Sequence, residues 1–241
     1  MPSVNEILNG KPGSVVGSFG NAASLAATTA ADALKCSDLL EIRLDLLVAG
    51  GLEPERGSWS HLAGVPLLFT ARRREEGSPI DLDAARRAEL LRRVLDDAAL
   101  VDIEVASIAE MAPLLDELKR RSIPWVASYH DFEKLPSTAA LATAAAIAKD
   151  AGAAIFKAAA RVHSPADVAR LAEFQLADHG LPVSTMGMGP LAPVSRLLCA
   201  QSGSVLNYGF IGETSTAPGQ WSAEFLKLAI SRLEHLRRVD L

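Results

Sequence analysis

Residues 100–131 read LVDIEVASIAEMAPLLDELKRRSIPWVASYHD, and this stretch decides the fold. Its first part, 100–105, is short, apolar and β-prone. Ser107 followed by Glu110 has the spacing of a capping box, and Leu114, Leu115 and Leu118 then form an apolar stripe at helical spacing. Residues 124–129 are a second β-prone run. Strand, helix and strand in this order predict a right-handed βαβ unit with parallel strands.

The alternation extends both ways. Further β-prone runs lie at 14–18, 39–44, 65–70, 153–158, 182–186 and 204–210. That makes eight runs at a spacing of roughly 25–30 residues, which fits an α/β (β/α)8 TIM barrel, near the usual length for that fold. Asp83 precedes a helix with Leu90, Leu91, Val94, Leu95 and Ala98 on one face. Ser164-Pro165 reads as N-cap and first helical residue before Val168, Leu171 and Ala172. Residues 138–151 are Ala-rich, which favours helix. Ser222 opens a last helix with Phe225, Leu226, Ala229, Leu233 and Leu236 turned inward. No linker or composition break divides the chain, so residues 1–241 are expected to form a single barrel. An open doubly wound sheet is the rival, but it usually begins with a Gly-rich turn that is missing here.

Composition narrows the function classes. The 241 residues carry 24 Lys and Arg against 29 Asp and Glu, a net charge of −5, with 49% hydrophobic and 22% charged residues. Disorder is excluded by the apolar content, and nucleic-acid binding is disfavoured by the acidic balance. No signal peptide and no membrane span are expected. Cys36 and Cys199 match no metal or redox spacing, and two free thiols suit a reducing, cytoplasmic setting.

In a barrel of this kind, function sits at the C-terminal strand ends. There the chain places Glu41, Arg43 and Asp45; Arg72 with Glu75 and Glu76 close behind; Asp102 and Glu104; His130 and Asp131; Lys157; and Ser195, Arg196, Thr216 and Gln220. Lys157 lies inside an apolar strand. Burial disfavours its charged form, so the amine can attack a carbonyl; alternatively, its ammonium is paired with Asp102, Glu104 or Glu41. His130 suits proton transfer, or is a strand-end histidine bonded to Asp131. Arg43, Arg72 and Arg196 would ring an anionic substrate. Arg73 and Arg74 fit a solvated loop, and Arg86, Arg87, Arg92, Arg93, Arg237 and Arg238 fit solvated helix faces. His61, His163, His179 and His235 fit the surface, and no metal site is expected. Residues 187–192 match the dinucleotide pattern G-x-G-x-x-A, but at the seventh strand, crowded by Pro190 and Pro193, and with no clean acid about 20 residues on, so no nucleotide is expected.

Seven segments in order carry a resemblance: E-I-R-L-D from Glu41, T-A-R-R-R-E-E-G from Thr70, V-D-I-E from Val101, S-Y-H-D-F from Ser128, I-F-K from Ile155, G-x5-S-R from Gly189, and T-A-P-G-Q from Thr216. In these the chain resembles the type I 3-dehydroquinate dehydratases of the shikimate pathway. The resemblance implies a cofactor-free dehydration of 3-dehydroquinate to 3-dehydroshikimate. In it Lys157 would form a Schiff base, His130 would move the protons and Glu76 would orient His130. Glu41, Arg43, Arg72, Arg196, Thr216 and Gln220 would hold the substrate. It also implies a homodimer and a short N-terminal segment at the barrel bottom. Three departures stand out: Thr216 where the family often has Ser, Ser78 after Gly77, and Ala192 where Gly is common. These bear on loop closure and affinity. Because the chain ends at Leu241, no fused shikimate dehydrogenase domain is expected. Two alternatives compete with this reading. A class I aldolase would need a phosphate site after strands seven and eight, where these loops suit a carboxylate polyol better. A non-catalytic barrel would not need Lys157, His130 and Glu76 together.

Overall fold

The computed structural model describes residues 4–8 and 13–237, without the side chains of residues 7, 8 and 234–237. Eight parallel strands alternate with helices. They are β1 (Ser14–Phe19), β2 (Leu39–Arg43), β3 (Leu67–Thr70), β4 (Leu100–Glu104), β5 (Trp125–Asp131), β6 (Ile155–Arg161), β7 (Val183–Met188) and β8 (Leu206–Ile211). Helix α1 (Val4–Leu8) precedes β1. Helices α2 (Ala22–Ala27) and α3 (Ala30–Cys36) follow β1, and α4 (Leu44–Ala49) follows β2. The remaining crossovers are α5 (Ala84–Val94), α6 (Ala112–Arg120), α7 (Thr138–Asp150), α8 (Pro165–Leu176) and α9 (Ala192–Gln201), with α10 (Ala223–Arg237) after β8.

Each strand hydrogen-bonds its sequence neighbour, and β1 also pairs with β8 from Ser14↔Leu206 to Phe19↔Ile211. Between β7 and β8 no ladder forms among the described residues. The seam is stitched instead by the Val205 amide donating to the Val183 carbonyl (3.2 Å) and the Leu206 amide donating to Ser184 Oγ (2.8 Å). The barrel is therefore nearly closed, and all eight expected strands are present.

The strand period of two builds the site. Leu39, Leu68, Leu100, Val126, Ile155 and Leu206 form an apolar floor inside the barrel. Two residues further along the same strands the inward face carries Glu41, Thr70, Asp102, Ser128, Lys157 and Tyr208, all buried. Side chains of α1 reach the lower end, where Val4 packs against the floor cluster, so the expected N-terminal cover is a short helix. Outside the strands, a larger apolar cluster joins the sheet to the helices.

The helix starts follow their capping residues. Asp83 accepts the Arg86 amide, and Ser137 accepts the Ala140 amide. Ser164 and Asp167 form a reciprocal capping box on α8. The box expected at Ser107 and Glu110 does not form: Met111 caps α6 without a side-chain bond, and both residues instead contact Arg87, at 3.0 and 3.4 Å. Arg87 is a second correction. It is buried rather than solvated, and its guanidinium meets Glu104 at 3.0 Å. In α10 Leu226 faces the core as expected and Ile230 joins it, whereas Phe225, also expected inward, is half exposed and packs on Trp221 with ring centroids 4.5 Å apart. The expectations for His235, Leu236, Arg237, Arg238 and Leu241 lie outside the described side chains.

Candidate active site

A cavity at the C-terminal end of the barrel is lined by the nine residues to which the resemblance gives roles, Glu41, Arg43, Arg72, Glu76, His130, Lys157, Arg196, Thr216 and Gln220, whereas Asp45, Glu75, Asp102, Glu104, Asp131 and Ser195, also expected at the strand ends, do not line it. A larger groove, of about 770 Å³, lies at the other end beside Pro124, Trp125 and Ala154, away from these groups.

Lys157 is held in place by carboxylates. Its Nζ is 3.1 Å from Asp102 Oδ2 and 4.0 Å from Glu41 Oε1, and it sits 4.1 Å above the Tyr208 ring centre. Asp102 is in turn fixed by Arg72 Nη1 at 2.9 Å and by the Ser128 hydroxyl at 2.6 Å. Burial alone would raise the Asp102 pKa; the Arg72 and Lys157 cations outweigh it and hold the carboxyl well below the usual range. Glu41 accepts bonds from Ser18 Oγ (2.6 Å) and Thr70 Oγ1 (2.9 Å). The ion-pair alternative for Lys157 is thus present in the structure.

His130 faces Glu76, not Asp131. Its Nδ1 is 2.9 Å from Glu76 Oε2, which also accepts the His130 amide at 2.9 Å. Asp131 is occupied by the amides of Glu133 and Lys134. Burial, reinforced by the Arg72 and Lys157 cations, pushes His130 well below the usual imidazole range. Burial likewise pushes Glu76 up to about 8, against the pull of Arg72. At neutral pH the imidazole is therefore uncharged, and its Nε2 has no partner among the described residues.

The three arginines differ. Arg43 is clamped by Asp45 at 2.8 and 2.6 Å, and Arg72 is shared between Asp102 and Glu104. Arg196 has no carboxylate partner among the described residues. Its Nη1 donates to the Tyr208 carbonyl at 2.7 Å, and its buried Nε is unpartnered. Burial lowers it to about 10. The expected cationic ring is therefore one uncompensated guanidinium beside two compensated ones.

The loop after β8 forms the cavity's upper wall. The Thr216 amide and hydroxyl both donate to Gln220 Oε1, at 2.9 and 2.8 Å, and the Gly189 amide donates to the Pro218 carbonyl at 3.1 Å. The glycines of the 187–192 pattern serve this packing: Gly187 donates its amide to Ser195 Oγ (3.0 Å), and Gly189 has φ +92°.

Tyr208, Met186 and Phe132 also line the cavity and were not singled out from sequence. Tyr208 had a signal. It is two residues from the floor residue Leu206, so strand alternation turns it inward. Phe132 had none, because its position depends on the backbone of Gly77 in another loop.

Fold and cavity together define a class: a (β/α)8 enzyme whose polar pocket, with one uncompensated arginine, is shaped for a small anionic substrate. The model of a known family, Type I 3-dehydroquinase, matches residues 20–237. A 3-dehydroquinate dehydratase of Shouchella clausii is 34% identical over 214 residues, covering 84% of this chain and 83% of that protein. One of Methanothrix thermoacetophila is 33% identical and covers 92% and 94%. The crystal structure of 3-dehydroquinate dehydratase from Geobacillus kaustophilus is 26% identical, with a TM-score of 0.78 over 93% of this chain and 91% of that one. This chain belongs to the type I 3-dehydroquinase family: it is a lyase of the shikimate pathway that dehydrates 3-dehydroquinate to 3-dehydroshikimate through a Schiff base.

Proposed function

We propose that Lys157 is the Schiff-base lysine, that His130 moves the protons and that Glu76 orients His130. The observation that carries this is the placement of Lys157 Nζ, buried on the inward face of β6, in one cavity with the His130–Glu76 pair. The neutral amine adds to the C3 ketone, and a proton taken up from solvent lets the ketone oxygen leave as water, giving an iminium that acts as an electron sink; that proton is returned when the imine is hydrolysed. With Nδ1–H donated to Glu76, Nε2 of His130 takes the C2 proton. The electron pair released at C2 expels the C1 hydroxyl, which leaves as water with the proton from His130. Hydrolysis of the imine restores Lys157, so the net loss is one water. Arg196 binds the substrate carboxylate, since among the described residues it alone of the three arginines has no anionic partner. Glu41, Arg43, Arg72, Thr216 and Gln220 fix the ring in a single pose.

Further proposals concern the molecule's setting. Residues 1–241 form one barrel unit, supported by the unbroken βα alternation. The family resemblance supports a homodimer, which sedimentation equilibrium checks. A cytoplasmic location, with neither membrane nor nucleic acid as partner, is supported by the net charge of −5 and by the lack, among the described residues, of a helix long and apolar enough to cross a membrane.

The chemical roles are tested with His130→Ala. This variant should still form the imine on Lys157 but turn over roughly 10²–10⁴-fold more slowly, measured as the enone absorbance of 3-dehydroshikimate. A full rate would remove His130 from the mechanism.

A further inference from the structure

Behind the active-site lysine runs a buried line of alternating charges that leaves the barrel interior. Lys157 meets Asp102, and Asp102 Oδ1 meets Arg72 Nη1 at 2.9 Å. The same Nη1 meets Glu104 Oε1 at 3.1 Å, and the other oxygen of Glu104 meets Arg87 Nη1 at 3.0 Å. Arg87 belongs to α5, on the outside of the barrel wall. It is tethered there by the Leu82 carbonyl (3.2 Å) and Ser107 Oγ (3.0 Å). Lys157, Asp102, Arg72, Glu104 and Arg87 are each at most 4% exposed. Glu110, 3.4 Å from Arg87 Nη2, is the exposed end of the line.

In such a chain each link sets how strongly the next is held. Glu104 divides its charge between two arginines, and its Oε1 also accepts the Arg73 amide at 2.9 Å. Without Arg87, Glu104 would be a buried carboxylate with a single cation, and it would draw Arg72 away from Asp102. Asp102 would then lean on Lys157, and the site would carry one more negative charge. The ammonium of Lys157 would be favoured over the nucleophilic amine.

We propose that Arg87, which does not line the cavity, is a positioning residue for the dehydration: through Glu104 and Arg72 it sets how tightly Asp102 grips Lys157. This rests on the role proposed above for Lys157. The ionisable groups around that amine are Glu41 from β2, Arg72 after β3, Asp102 from β4, His130 from β5 and Tyr208 from β8. None of them is altered in the test below, which changes the two groups behind Arg72 and, as a control, the exposed Arg92.

The test measures the rate at which borohydride, added with 3-dehydroquinate, fixes an adduct on Lys157 as a function of pH. Arg87→Met removes a positive charge and should raise the half-maximal pH by about half a unit or more. Glu104→Gln removes a negative charge and should lower it. Arg87→Lys should return it towards the unsubstituted value, and Arg92→Met, on the exposed face of α5, should leave it unchanged. A merely structural role would reduce the amount of folded protein without opposite shifts. Should Arg87→Met fail to fold, the downward shift in Glu104→Gln and the near-normal profile of Arg87→Lys decide. No shift, or shifts of one sign, in soluble variants overturns the inference. Failure of the unsubstituted chain to form the adduct would instead overturn the role of Lys157.

Discussion

A lysine ammonium taken out of water costs several kcal/mol unless it is paired. In Lys157 that cost is met by Asp102 and Glu41, whose own charges are held by Arg72, Ser18 and Thr70. The Glu76–His130 pair is the complementary case, because there burial keeps both groups neutral. Its consequence for stability follows from proton counting. From the ordinary carboxylate value of 4.5 up to about 8, the folded state keeps a proton on Glu76 that the unfolded chain has lost. Stability therefore falls as pH rises, by at most about 1.4 kcal/mol per unit. His130 acts oppositely: below about 6.5 the unfolded imidazole holds a proton that the folded one lacks, so stability rises with pH. The two cancel between about 4.5 and 6.5 and leave the Glu76 loss above that range. Relative to Glu76→Gln, the unsubstituted chain should lose up to about 2 kcal/mol between pH 6.5 and 8 in denaturant unfolding. Parallel curves for the two proteins would contradict the raised carboxyl.

At the scale of elements, the short turn carrying Glu76 is held from two sides. Gly77 has φ +104°, and Arg43 Nη2 donates to its carbonyl at 3.3 Å. A Cβ on Gly77 would come 2.7 Å from Phe132 Cζ. Gly77→Ala therefore combines a left-handed backbone penalty with pressure on the tip of the Phe132 ring, two residues after His130. It should cost at least about 1–2 kcal/mol and lower kcat by displacing Glu76. An unaltered unfolding midpoint and kcat would contradict this. The strands were legible in the sequence because their apolar runs are short and evenly spaced, and Asp83 and Ser164 announced their helices by ordinary capping chemistry. Ser107–Glu110 misled. Its pattern is that of a cap, but a buried arginine from α5 claimed both side chains, and nothing in the local sequence shows that competition. Arg87 misled for the same reason: flanked by charged residues it resembles a solvated face, and only the burial of Glu104 gives it a partner.

Across the whole molecule the ring of strand ladders is interrupted, among the described residues, at the seam of β7 and β8. Ser184→Ala would leave the buried Leu206 amide without its 2.8 Å acceptor. The expected loss is about 1–3 kcal/mol, or a fall of about 2–4 °C in Tm for each kcal/mol at this size. An unchanged Tm would mean that the seam carries no share of the stability. The site's membership was legible because strand alternation gathers residues far apart in sequence onto one inward ring: Glu41, Asp102 and Lys157 each stand two residues beyond an apolar floor residue. Its charge balance was not legible. Arg43, Arg72 and Arg196 look equivalent as sequence, yet Asp45 pairs with Arg43, Asp102 and Glu104 pair with Arg72, and Arg196 meets no carboxylate among the described residues.

The account turns on the amine of Lys157. Borohydride added together with 3-dehydroquinate should fix a reduced adduct, found by peptide mass on Lys157 and absent when either reagent is omitted. Active protein whose Lys157 stays unmodified under those conditions, or an adduct on another lysine, would contradict it.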